Sequence, residues 1–298
     1  QEPSNAIRLF IKDFTLEHKL SYYNVRAHEG LMRNVVIRCN GKGEFMVIVV
    51  INEENDLIRN VMIPEMQKRF PEIISIMLVI NNKFNDIITD LPFENVYGEE
   101  CLVETMKAPR EGYDDLRFRV GPVSFFQTNV YQGERLYRAA FDLADVKGDE
   151  LMYDLYTGTG TIALYFARFA KNVVGVEYVE EAIADAKINS EFNNINNVKF
   201  YAGDMAKVFT DEFIEANGRP DLVVTDPPRA GMHEKVVEQL LKIQPKKIVY
   251  ISCNPATQAR DLQLLDSLYE VKAVQPVDMF PHTHHVENIV LLELKVEN

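Results

Sequence analysis

Apolar positions follow two different rhythms along the chain. Up to about residue 119 they come in short β-rich runs. RNVVIRCN (33–40) and GEFMVIVVI (43–51) flank a GKG turn and predict a hairpin. IPEMQKRFPE (63–72) has proline at its second position and helical spacing. ISIMLVINN (74–82) predicts a third strand, and residues 86–106 hold further strand-like pieces. KAPREGYDD (107–115) is rich in turn residues. These runs predict a smaller α+β domain over residues 1–119, built as an antiparallel layer.

From residue 120 the rhythm becomes an alternation of strand and helix. ELMYDLYTGTG reads as a strand entering a glycine turn, TIALYFARFA as a helix and NVVGVEYV as a strand. A helix (EEAIADAKINSEFNN), two strands (NVKFYAGD, PDLVVTDPP) and a helix (HEKVVEQLLKI) follow. KKIVYISCN, ATQARDLQLLDS, YEVKAVQPVD and ENIVLLELK complete the series. Such alternation predicts an α/β fold over 120–298, a doubly wound and mostly parallel sheet with helices on both faces. Ligands of such sheets bind at the carboxyl ends of the strands, near the switch point.

Bulk properties narrow the partners. The 298 residues are 47% hydrophobic and 26% charged, which suits globular domains. No apolar run approaches the roughly 20 residues of a membrane span, so no membrane association is expected. The net charge of −13 argues against a broadly basic nucleic-acid surface, though not against a local basic groove. Cys39, Cys101 and Cys253 are far apart and odd in number. That predicts no disulfide framework, no CxxC metal or iron–sulfur site, and a reducing, cytoplasmic setting. The chain opens on QEPSNAIRLF, without Met or a leader, and reads as part of a longer protein.

The chemistry gathers at strand ends. DLYTGTGTIA (154–163) carries Gly158-x-Gly160-x-x-Ala163, with Glu177 nineteen residues beyond Gly158 at the next strand end. Read alone, this is a loose dinucleotide fingerprint, or simply a strand–helix turn that needs small residues. The same geometry serves S-adenosylmethionine, which has ribose and adenine but no pyrophosphate. Asp204, at the third strand end, suits that ligand too, although a strand-end acid is common. In VVTDPPRAG (223–231) two prolines stiffen the turn after Asp226 and aim it away from the sheet. Enzymes that methylate exocyclic amines of bases place an aromatic residue after such prolines. Here Arg229 follows, which weakens that reading.

Cys253 ends the strand KKIVYISCN, on the same sheet edge as Asp226 and the glycine turn. A single cysteine is most often packing. At a ligand edge, beside a helix start at Pro255, it is also placed to be a thiolate stabilised by the helix amino end. Methylation of a pyrimidine at carbon 5 needs such a group. A thiolate adding to carbon 6 makes carbon 5 nucleophilic, and a base must later remove the carbon-5 proton. Glu287 in HTHHVENIVLL is the candidate base, although alone it reads as a solvated strand-start residue. His282, His284 and His285 lack zinc-like spacing and read as turn or substrate-contact residues, so no metal is expected.

FFQTN (125–129), DLYTGTGT (154–161), VGVE (174–177), TDPPRAG (225–231), ISCNPATQARDL (251–262) and HTHHVENIVLLE (282–293) occur in order. Together they resemble the RNA 5-methyluridine methyltransferases, in particular the branch acting on ribosomal RNA. YYNVRAHEGLMRNVVIR (22–38) resembles that family's central domain. The resemblance implies a class I S-adenosylmethionine-dependent methyltransferase fold. It makes Cys253 the nucleophile and Glu287 the base. Gln127, Tyr156, Gly158, Gly160, Thr161, Glu177, Asp204 and Asp226 become cofactor contacts. Phe125 and Arg229 fall near the target base. Thr161 and Asp204 stand where many relatives carry Asn. The family's amino-terminal RNA-binding barrel and cysteine-rich iron–sulfur segment have no counterpart here. The chain is therefore expected to be the catalytic part of a longer enzyme, with RNA as its partner, 23S ribosomal RNA by the branch resemblance, and no obligate protein partner. Transfer RNA uridine, an exocyclic amine, and a nicotinamide-binding or non-catalytic module are the alternatives.

Overall fold

The computed structural model describes residues 2–295. The chain forms two compact units. One runs to Glu104 and takes in Arg119–Ser124; the other holds Thr105–Phe118 and the chain from Phe125 on. The first unit opens with helix α1 (Ser4–Glu17). Strands β1 (Met32–Cys39) and β2 (Phe45–Ile51) follow as an antiparallel pair. A π-helical turn (Ile58–Met62) and α2 (Ile63–Arg69) lead to β3 (Ile73–Ile80), and β4 (Glu94–Gly98) completes a four-stranded sheet in sequential order. Ile7, Phe10, Ile11 and Phe14, spaced to share one helical face, cluster with Val47, Val49, Ile76 and Leu78. Every residue of β2 is buried, so this strand is packed on both faces.

Two features differ from the reading of the sequence. β3 lies parallel to β2, not antiparallel, because the helical segment 58–69 is a crossover rather than a tight turn. The units also do not separate at a single point after residue 119. The division passes through β5 (Leu102–Met106) and β6 (Leu116–Val120), which form a two-stranded sheet of their own among the described residues. The turn-rich 107–115 segment connects two paired strands, which is why its composition imitates a linker.

In the second unit α3 (Val130–Ala144) precedes the alternating series, capped by Asn129, whose side chain accepts from Gln132 N at 3.2 Å. Then come β7 (Leu151–Leu155), α4 (Thr161–Ala167), β8 (Asn172–Glu177), α5 (Glu180–Phe192) and β9 (Val198–Ala202). The short α6 (Met205–Val208) and α7 (Asp211–Asn217) lead to β10 (Leu222–Thr225), α8 (Glu234–Ile243) and β11 (Lys247–Ser252). α9 (Pro255–Leu265), β12 (Tyr269–Val277) and β13 (Glu287–Leu294) end the described chain. The sheet order is β12-β13-β11-β10-β7-β8-β9. Neighbours from β11 to β9 are parallel, and β13 is antiparallel to both β11 and β12. Winding reverses between β7 and β10, so the carboxyl ends of these two strands form the switch point. Among the described residues no helix is long and apolar enough to cross a membrane.

Candidate active site

The glycine turn is built on backbone conformations that restrict its residues. Tyr156, Gly158 and Gly160 take φ of 68°, 55° and 80°. At Gly160 an added Cβ would lie 3.0 Å from Ala186 Cβ and from Phe200, so packing as well as φ demands glycine. At Gly158 an added Cβ would meet nothing within 4 Å. Its backbone faces open space, as a ligand cradle requires.

Glu177 ends β8 beside this turn. One carboxylate oxygen accepts from Gly158 N at 3.1 Å and the other from Val179 N at 3.0 Å. Each keeps a lone pair for a further donor. Asp204 caps α6 by accepting from Ala206 N at 3.1 Å and pairs with Lys207 at 3.3 Å. The Lys207 hydrogen bond holds its carboxyl below the ordinary range. Thr161 is buried at the first position of α4, its hydroxyl 3.3 Å from that of Thr159. Thr159 in turn donates to Phe125 O at 3.4 Å, which ties FFQTN to the glycine turn. Gln127 is half-buried and hydrogen-bonded to the buried Tyr137, whereas Phe125 is 70% exposed.

Asp154 is a site residue that the sequence reading passed over. It is fully buried, and one oxygen accepts from Thr157 Oγ1 at 2.5 Å and Ala163 N at 2.9 Å. The other oxygen has no partner. Burial pushes this carboxyl up to about 7, with Glu177 adding to the rise. Its signal was available: MYDLY places one acid inside an apolar strand. Asp226 at the end of β10 is raised well above the ordinary value by burial, then by the charges of Glu287 and Asp154. At the switch point Asp226 feels the charges of both Asp154 and Glu287, and all three act on the buried Tyr137. Tyr137 lies in α3, which the sequence reading did not predict.

Cys253 and Glu287 meet through strand register. β11 and β13 pair from Lys247↔Glu293 to Ser252↔Asn288. Cys253 directly follows the last paired residue of β11, Glu287 opens β13 at the same end of the pair, and the Glu287 charge reaches the thiol. Gln258, buried on α9, ties the two strands together. Its amide donates to Tyr250 O at 2.9 Å and Asn288 O at 3.1 Å, and its oxygen accepts from Asn288 Nδ2 at 2.7 Å. Burial raises the Cys253 thiol, with Glu287 and Asp226 adding to the rise, while a hydrogen bond from Arg229 lowers it. Burial also raises Glu287, and Arg229 lowers it.

Cys253 lies directly before the amino end of α9, as the sequence suggests. Asn254, not Cys253, caps α9, and its Oδ1 takes the free Ala256 N–H at 3.2 Å. The cation beside the thiol is Arg229, whose Nη2 lies 2.9 Å from His285 Nδ1. The other carboxylate of this region, Asp261, is buried in α9 and braces the proline turn by accepting from Met232 N at 2.8 Å and Tyr250 OH at 2.7 Å.

The sheet order, with its reversed β13, and the strand-end site define a class I S-adenosylmethionine-dependent methyltransferase fold. The sequence profile of the tRNA (uracil-5-)-methyltransferases matches residues 98–295. The chain is 54% identical over 295 residues to an uncharacterized RNA methyltransferase of Bacteroides thetaiotaomicron, covering 98% of this chain and 63% of that protein. It is 49% identical to another from Porphyromonas gingivalis, covering 99% and 63%. The crystal structure of the Pyrococcus abyssi tRNA (uracil-54, C5)-methyltransferase with S-adenosyl-L-homocysteine aligns at TM-score 0.76 and 35% identity. That match covers 95% of this chain and 65% of the archaeal one. The chain therefore belongs to the tRNA (uracil-5-)-methyltransferase family, and it spans 63% of the length of its bacterial relatives.

Proposed function

We propose that the full-length protein methylates carbon 5 of a uridine in RNA, using S-adenosylmethionine and a covalent adduct between Cys253 and carbon 6. The observation that supports this reading is the β11–β13 pairing, whose last pair, Ser252↔Asn288, is followed by Cys253 on one strand and preceded by Glu287 on the other. Methylation of an exocyclic amine has no use for that pair.

The residues divide the work. Cys253 Sγ, as thiolate, adds to carbon 6, and the carbon 5–carbon 6 π electrons move onto carbon 5 and the adjacent carbonyl. S-adenosylmethionine would supply the electrophilic methyl group that carbon 5 takes, the pair of the broken sulfur–methyl bond staying on sulfur as the neutral thioether. Glu287 then accepts the carbon-5 proton. The released electron pair restores the double bond and expels Cys253 as thiolate. The raised Glu287 carboxyl suits a proton acceptor whose conjugate acid must form. Arg229 faces both groups and limits the repulsion between the forming thiolate and the carboxylates.

The cofactor fits the residues around the glycine turn. Glu177 offers two oxygens for ribose hydroxyls, Gly158 leaves room, and the orphaned Asp154 oxygen suits a cationic ammonium group. Gln127, Tyr156, Gly160, Thr161, Asp204 and Asp226 complete the proposed cofactor set. Glu177→Ala is expected to weaken S-adenosylmethionine binding by about 1.5–3 kcal/mol, the scale of hydrogen bonds to a charged group. Isothermal titration calorimetry checks this, and an unchanged Kd removes Glu177 from the ribose.

The target uridine must leave its stack to reach Cys253, so a loop or partly unfolded RNA is the proposed substrate. Phe125, largely exposed, and Arg229 are the proposed contacts to the extruded base. Ribosomal RNA is the proposed class, on the branch resemblance of the motifs. Transfer RNA is the second reading, because the archaeal relative is named for tRNA uracil-54. Methyl incorporation into the two purified RNAs separates these.

RNA carrying 5-fluorouridine tests the chemistry. Fluorine at carbon 5 cannot leave as a proton, so the enzyme should stay attached through its thiol. A denaturation-stable adduct with wild type, lost with Cys253→Ala, is expected. Cofactor binding without any adduct would exclude the carbon-6 addition.

A further inference from the structure

Arg229 is held at both ends. Its guanidinium meets His285, and its carbonyl oxygen accepts two side-chain hydrogen bonds from the start of α9. Asn254 Nδ2 donates at 3.0 Å, and the Thr257 hydroxyl lies 3.1 Å from both Arg229 O and Asn254 O, between which its single proton is shared. Further along the same helix, Arg260 Nη2 donates to Ala230 O at 2.9 Å, and Asp261 accepts from Met232 N. Residues 229–232 are thus strapped to the first two turns of α9. Gly231 leaves no space between them, since an added Cβ would lie 2.6 Å from both Arg260 Nη2 and Asp261 Oδ2. The helix begins directly after Cys253. One rigid segment therefore carries the nucleophile and grips the turn that carries its cation.

We infer that Asn254 and Thr257 are positioning residues that hold Arg229 beside Cys253. Neither touches the reacting atoms. Asn254 does two jobs with one side chain: its Oδ1 caps the helix and its Nδ2 grips Arg229 O. Thr257 adds the second grip from the next turn position. Proline at 255 stiffens the entry between them. The spacing Cys-Asn-Pro-x-Thr is accounted for as a nucleophile followed by its charge-setting clamp.

The charged and titratable groups facing Cys253 are Glu287 from β13, Asp226 from the end of β10 and Arg229 from the proline turn. Two of them oppose ionisation of the thiol, and Arg229 favours it. A displaced Arg229 leaves the carboxylates unopposed, so the thiol must ionise at higher pH. This inference rests on Cys253 as the nucleophile, but its test needs no RNA and no turnover.

The experiment is alkylation of Cys253 by iodoacetamide in the full-length protein, across a pH series, followed by mass spectrometry of the Cys253 peptide. Cys39 and Cys101 are then read separately. Arg229→Met is expected to move the midpoint up by about 1 pH unit, the lower end of the range for a neighbouring opposite charge. Thr257→Val keeps the shape, loses the hydroxyl, and is expected to move it in the same direction by a smaller amount. Thr257→Ser keeps the hydroxyl and should restore the wild-type midpoint. In the Arg229→Met background Thr257→Val should cause no further shift. A Thr257→Val shift that persists there would mean the residue acts through the helix start itself and would overturn the inference. So would a wild-type midpoint in Thr257→Val alone. Methylation by Cys253→Ala would instead defeat the reading of the nucleophile, an outcome that the alkylation series cannot imitate.

Discussion

Cys253→Ala is expected to abolish methyl transfer to RNA, lowering kcat by at least about four orders of magnitude while S-adenosylmethionine binding stays intact. Carbon 5 of uracil is a weak nucleophile, and no other group on the described sheet edge is placed to activate it. Losses of this size follow removal of a covalent nucleophile, because the remaining binding groups cannot replace the missing step. The residue is only half-buried, so truncation to alanine should leave the variant melting close to wild type. Burial, Glu287 and Asp226 together hold the thiol above its ordinary value against Arg229. Thiolate is thus the minor form at neutral pH, and the wild-type rate of adduct formation should climb as pH rises towards the thiol's ionisation. Tritiated methyl transfer into RNA, read beside calorimetric cofactor binding, checks the prediction. Residual turnover within tenfold of wild type would make Cys253 a packing residue.

Much of the second unit was legible because its physics is local. A parallel sheet buried on both faces writes apolar strands, and each carboxyl end writes its own punctuation: Thr-Gly-Thr-Gly after β7, Glu177 at the end of β8, Pro-Pro after β10, Cys-Asn-Pro after β11. What escaped was set by neighbours distant in sequence. α3 carries Gly133 inside it and looks weak in isolation, yet its buried Leu136, Tyr137 and Phe141 are needed against the sheet. α1 has apolar residues at helical spacing but buries them on strands more than 30 residues away. The parallel pairing of β2 with β3 depends on the crossover between them, which periodicity does not report. The charges around Cys253 escaped for a related reason. Local sequence shows a helix start, but not the burial of the thiol or the charges of Glu287, Asp226 and Arg229, contributed by three other segments.

Glu287→Gln should separate the two halves of the proposed chemistry. Glutamine keeps the size and the hydrogen-bonding oxygen of glutamate but cannot take up a proton at neutral pH. Addition of Cys253 and methyl transfer do not require the carboxylate, so both should proceed. Elimination should stall, because the carbon-5 proton has no acceptor. Turnover is then expected to fall by about 100- to 10,000-fold, the usual contribution of a positioned general base. A protein–RNA adduct that already carries the new methyl group should accumulate. Loss of the Glu287 charge also removes a contribution that raises the thiol, so the adduct should form at least as readily as in wild type. That sign matters, since a variant that merely damaged the site would form adduct more slowly. Denaturing gel analysis with methyl-labelled cofactor gives both quantities at once. Turnover near wild type with no labelled adduct would assign the proton abstraction elsewhere, with Asp226, the next carboxylate at the switch point, the first residue to test.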